Sequence, residues 1–159
     1  MLLMLEAKTA LHCIEILGIM IHASDEICTK LVNDPELRFL DAMQQVLIEG
    51  DSNLKMKVLW TFNNIICNSQ DDLMKLIEKN ILSNVSNACR CQNNEVKEEA
   101  TWMMASVIKI LEDEPSVLKP IVQQHELIEI FLENLTDGNS SMQKKCVSIE
   151  VFNILFNQN

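Results

Sequence analysis

A chain of 159 residues, 48% of them apolar, is one ordinary domain with material for a continuous core. Glycine and proline number three each, tyrosine is absent and aromatics make up 4%, which excludes a turn-rich sheet protein and predicts an all-α fold. A formal charge of −10, with only 13 Lys and Arg in all, argues against a nucleic-acid surface; it leaves basic peptides as the natural charged partner, or solubility as the plain role of the acid excess.

Met1 to about Ala23 reads as one helix, apolar almost all round, with Leu11, Ile14, Leu17 and Met20 on one side and Ala10, Cys13, Ile16 and Ile19 on another. Such a helix needs cover on both flanks, by another protein or by chain missing from this sequence. It is read as the last helix of a repeat whose first two helices are absent. The opening Met-Leu-Leu-Met-Leu run has no basic flank and is interrupted by Glu6 and Lys8, so neither a secretion signal nor membrane insertion is expected. The expectation is an intracellular protein of the cytoplasm or nucleus.

Ser24 is placed to cap a short helix, Asp25 to Val32, whose first turn carries acids to meet the helix dipole. Pro35 suits the first turn of the next helix, Pro35 to Glu49, and Gly50-Asp51-Ser52-Asn53 forms the turn that follows. A longer helix then runs through Leu54–Ile66. At 100° per residue its Leu54, Val58, Phe62, Ile65 and Ile66 share an apolar arc, while Trp60 and Asn64 lie together on nearly the opposite side.

The same unit returns. Ser69 caps a short helix, Ile81 to about Cys91 is the second helix, and the third begins after Gln92-Asn93-Asn94. There Val96, Ala100, Met104, Val107 and Ile108 form the core arc, and Trp102 and Ser106 fall opposite. A further unit starts near Asp113, with short helix to Gln124, second helix from His125 to about Leu135 and third helix from Ser141 to Phe156; Pro120 should kink the first of these. Ser24 and Ser69 lie 45 residues apart, as do Leu31, Leu76 and Ile121, and Leu37, Leu82 and Leu127. That period falls within the roughly 40 to 47 residues of armadillo and HEAT units. One domain over 1–159 follows, with a leading helix at 1–23 and repeats at 24–68, 69–112 and 113–159.

A long third helix with W-x-x-x-N on its inner face, here Trp60 and Asn64, resembles the armadillo repeat and most closely the repeats of importin-alpha. The resemblance implies a right-handed α-solenoid of about three three-helix repeats plus one leading helix. It also implies a concave groove in which Trp rings hold the aliphatic stems of an extended peptide and Asn amides hold its backbone. Carried over residue by residue, the peptide-binding set is Trp60, Asn64, Trp102 and Ser106. The other template positions hold His12 with Ile16 and Ser148 with Phe152, and keep neither residue of the pair. Between first and second helices the family's usual glycine is replaced by Asn33-Asp34, Lys79-Asn80 and Gln124-His125. A HEAT array would use two helices per unit; the short capped first helices favour three.

No Gly-rich phosphate loop is present, and His12, His22 and His125 lack a nucleophile or acid at a motif spacing, so no enzyme and no cofactor is expected. Cys89 and Cys91 diverge on a helix and have no further ligands at finger spacing, so no metal is expected either. The six cysteines read as reduced core thiols, Cys13, Cys67 and Cys146 among them. Asn84, Asn134 and Asn139 open N-x-S/T sequons that read as chance. An off-core Trp either anchors a ligand or fills the seam between neighbouring third helices. Two functions therefore stay open: an importin-alpha-like adaptor that binds an extended, basic peptide, and a structural armadillo subunit fixed in a large assembly.

Overall fold

The computed structural model describes residues 7–137. Among them are nine helices and no strand: α1 (Ala7–Ala23), α2 (Asp25–Asn33), α3 (Phe39–Glu49), α4 (Ser52–Asn68), α5 (Gln70–Glu78), α6 (Ile81–Ala88), α7 (Asn94–Ile110), α8 (Pro115–Gln124) and α9 (Leu127–Asp137). The expected helix over Ser141–Phe156, with Cys146, Ser148 and Phe152, lies outside the described residues, as does Asn139. The chain divides into two compact units, Met1–Asn84 and Val85–Asn159.

Helix starts follow the capping chemistry. Ser24, Asp51, Ser69 and Asn93 each accept a backbone N–H three residues on, at 3.3, 3.0, 3.1 and 3.0 Å. Each such bond satisfies a donor the helix cannot, and contributes about 1 kcal/mol.

In the first unit α4 is the axis, with α1 laid along it and α2, α3 and α5 packed around it. Leu54, Val58, Phe62, Ile65 and Ile66 are all buried, as their arc requires. In the second unit Val96, Ala100, Met104, Val107 and Ile108 of α7 are buried likewise, and α9 packs on α8. Helix α8 runs continuously through Pro120.

Two expectations need correction. The second helix of the first unit starts at Phe39, not Pro35, because Asp34 Oδ1 accepts the Glu36 N–H at 2.9 Å and turns the chain first. Arg38 then takes a left-handed backbone, φ 46°. Asn80 (φ 54°) and Glu126 (φ 51°) do the same immediately before α6 and α9, so the left-handed position falls within the expected segment only at Lys79-Asn80, and lies past Asn33-Asp34 and past Gln124-His125 in the other two units. Helix α1 is covered on one side among the described residues. Ala10, Ile14, Gly18 and Ile21 form one buried stripe, while Ile16 (57%), Ile19 (56%) and Met20 (40%) are exposed.

The second correction is to the thiols. Cys28 and Cys89 are buried, but Cys13 and Cys91 are only half-buried and Cys67 is exposed. Cys67 follows Trp60 by seven residues, about two helical turns, and so leaves the core on the side where the indole does.

Candidate functional site

The four residues implied by the family resemblance fall two to each unit. In the first, Trp60 and Asn64 are both half-buried on α4 and both reach α1 at Gly18. The six-membered ring of Trp60 lies so close to Gly18 that a Cβ there would collide with Cζ3 and stand 2.9 Å from Cε3 and 2.8 Å from Thr61 Oγ1. A glycine is what lets the ring approach the helix backbone. Asn64 Nδ2 donates to the Gly18 carbonyl at 3.3 Å. Thr61 turns its hydroxyl to the Lys57 carbonyl of its own helix, 2.8 Å away.

A cation completes this seam. Lys57 Nζ lies over the Trp60 ring, 5.6 Å from its centroid, and donates to Glu15 Oε1 of α1 at 2.8 Å. The hydrogen bond and the charge of Lys57 hold the Glu15 carboxyl below its usual range. Glu15, Gly18 and Lys57 escape a reading of one helix at a time, because their roles depend on which helix lies alongside. The available signal is Gly18 itself, an isolated glycine inside a helical pattern, which marks close packing.

In the second unit Trp102 is 41% exposed, and Ser106 Oγ donates to the Trp102 carbonyl at 3.1 Å within α7. Thr101, one residue before Trp102, is buried. It donates to the Lys97 carbonyl at 2.8 Å and accepts from Asn134 Nδ2 at 2.9 Å. Asn134, one of the chance sequons, is thus 2% exposed and ties α9 to α7. Ser86 Oγ donates to the His125 carbonyl at 3.2 Å. Burial pushes the His125 imidazole below its ordinary pKa, since the cation is the form that suffers from lost solvation.

A second buried polar cluster supports the first unit from behind. Asp72 Oδ2 accepts from Ser69 Oγ at 2.8 Å and from Asn68 Nδ2, with Cys28 Sγ 3.8 Å away. Burial and the Asp72 carboxylate push the Cys28 thiol up to about 12, which leaves it inert at neutral pH. Among the described residues no group of three His, Cys, Asp or Glu is placed to hold a metal ion, and no helix is long and apolar enough to cross a membrane.

No protein-family model matches the chain, and no curated protein matches it. Solved structures do. An engineered protein superposes with a TM-score of 0.75 at 14% identity, over 89% of this chain and 54% of the other. A designed armadillo repeat protein, solved in complex with the peptide (KR)4, superposes with a TM-score of 0.71 at 20% identity, over 88% of this chain and 54% of the other. The fold is of the armadillo-repeat type. The chain spans about half the length of each of these structures. Within the armadillo fold, α4 and α7 are long third helices, and each carries its indole on the side away from the buried arc.

Proposed function

We propose that this chain is a protein-binding armadillo module, without catalytic activity, that recognises an extended, basic peptide in the manner of an importin-alpha adaptor. The observation that carries the reading is the exposed indole of Trp102 on the off-core side of a third helix, in a chain of net charge −10. A large apolar ring held by a rigid helix is an efficient anchor, because few side-chain rotations are lost on binding. The acid excess draws a basic partner, and a designed protein of the same fold is solved with an alternating Lys/Arg peptide. Trp102 and Ser106 form the peptide contact in the second unit, and Trp60 and Asn64 their counterparts in the first. The module works inside the cell, in the cytoplasm or nucleus.

The test is calorimetric titration of (KR)4 onto the wild type, Trp102→Ala and Ser106→Ala at two salt concentrations. Trp102→Ala should weaken binding by about 2 kcal/mol, and raised salt should weaken the wild type as exposed charges are screened within about 10 Å at 0.1 M. A wild type that binds no basic peptide at low salt overturns the reading.

One observation favours the second role, a structural subunit fixed in an assembly. Ile16, Ile19 and Met20 give α1 an exposed apolar side of the kind that marks a protein contact. In that case light scattering of the isolated chain should show self-association.

A further inference from the structure

We infer that Lys57 sets the specificity of the Trp60 compartment, by occupying it as the chain's own cation and so denying it to a ligand lysine or arginine. This rests on the peptide-binding reading above and refines it. An aromatic face beside a carboxylate is a receptor for an alkylammonium or guanidinium, since the ring quadrupole and the anion both favour positive charge. Trp60 and Glu15 make that pair across α4 and α1. Their resident is Lys57, 5.6 Å from the ring centroid and 2.8 Å from Glu15 Oε1.

Each partner of the compartment is already committed. The indole edge is seated on Gly18, and the Glu15 carboxylate is neutralised by Lys57. Asn64, the group that would hold peptide backbone, spends its amide on the Gly18 carbonyl. An incoming cation would have to displace a like charge that is tethered one helical turn away and therefore present at high effective concentration. The compartment consequently rejects ligand cations while Lys57 occupies it, so the Trp60 and Asn64 contact proposed above is closed to Lys and Arg side chains in the wild type.

The arrangement is also one that can open. Lys57 and Glu15 are both partly exposed, with 37% and 41% of their side chains accessible, so the pair contributes little to the fold and its removal should leave the helices in place. Trp60 and Glu15 would then stand vacant.

The experiment titrates (KR)4 onto the wild type, Lys57→Met, the double variant Lys57→Met/Glu15→Gln, and Lys30→Met. Lys30 is an exposed lysine of α2, and its replacement removes the same charge elsewhere in the first unit. Circular dichroism and unfolding midpoints confirm that all four are folded. Lys57→Met should bind about tenfold tighter than the wild type, as a cation–π contact with an adjacent carboxylate is regained by the ligand. The double variant should return to the wild-type affinity, and Lys30→Met should gain less than twofold. A Lys57→Met chain that binds as the wild type does, or a Lys30→Met chain that gains as much, overturns the role of Lys57 and leaves the peptide-binding reading intact. Absence of binding by every variant, Lys57→Met included, overturns both.

Discussion

Two third helices of this chain carry a tryptophan at the same place in the template, and the structure treats them differently. Trp60 is half-buried against Gly18 with a lysine over its ring, whereas Trp102 is 41% exposed and its companion Ser106 bonds only its own helix. What buries Trp60 is its neighbour rather than the helix bearing the ring. A glycine in α1 leaves a recess as deep as a missing side chain, and a ring that can fill it loses apolar surface to the seam. The same residue type in the same register can therefore belong to packing in one repeat and to the surface in another.

Stability measurements offer the bluntest way to break that contrast. Phe62→Ala, at a site with no exposure, should cost about 3–5 kcal/mol and sets the scale for a core cavity. Trp60→Ala should fall below it at about 2 kcal/mol, and Trp102→Ala below about 1 kcal/mol, as expected for a half-buried and an exposed ring. Chemical unfolding of the three variants checks the order, and equal losses for the two tryptophans would dissolve the distinction.

The recess itself can be filled. Gly18→Ala brings a Cβ into Trp60 Cζ3, and overpacking of this kind costs about 1–3 kcal/mol. Alanine returns about 1 kcal/mol of helix propensity, so a net loss of about 0–2 kcal/mol is expected. In a Trp60→Ala background the collision disappears and the same substitution should become neutral or stabilising. A double-mutant cycle reads this coupling directly, and additivity of the two changes would place the ring elsewhere.

Acid should separate the two units most gently. His125, in the second unit, has its folded-state pKa pushed below the ordinary 6.5 by burial. The unfolded chain thus takes up a proton first, and stability falls as pH drops from about 6.5 through the lower folded value. In the first unit the lowered groups are Glu15, held down by Lys57, and Asp41, held down by Lys79. Their contributions are complete above the unfolded values of 4.5 and 3.8, and are lost only as pH falls through the depressed ones. Amide exchange between pH 7 and 5, corrected for intrinsic rate, should show protection falling in α9 while α4 holds. His125→Gln should flatten the response of α9.

What could be read from the sequence was whatever a single helix determines. The buried arcs of α4 and α7, the caps at Ser24 and Ser69, and the off-core placement of both indoles all follow from periodicity and local hydrogen bonding. Cys67 was within reach of the same reasoning, since its angular position is close to that of Trp60 and not to that of Phe62. The seam was not legible, because the meeting of Gly18 with Trp60 and of Glu15 with Lys57 joins residues 42 positions apart in each case. Asn134 shows the same limit: its sequon is visible in three consecutive letters, but its burial against Thr101 is a fact about two helices.

Arg38, Asn80 and Glu126 hold left-handed backbone where each second helix begins. Asparagine tolerates that conformation, but for arginine and glutamate it costs about 1–2 kcal/mol each. Neither side chain is buried among the apolar residues, and neither lies on the helices that carry the indoles. A lineage of such chains accordingly has two places at which glycine could raise thermal tolerance while the recognition residues drift independently. The turns are where this protein can be made to last longer, and the third helices are where it can be made to bind something else.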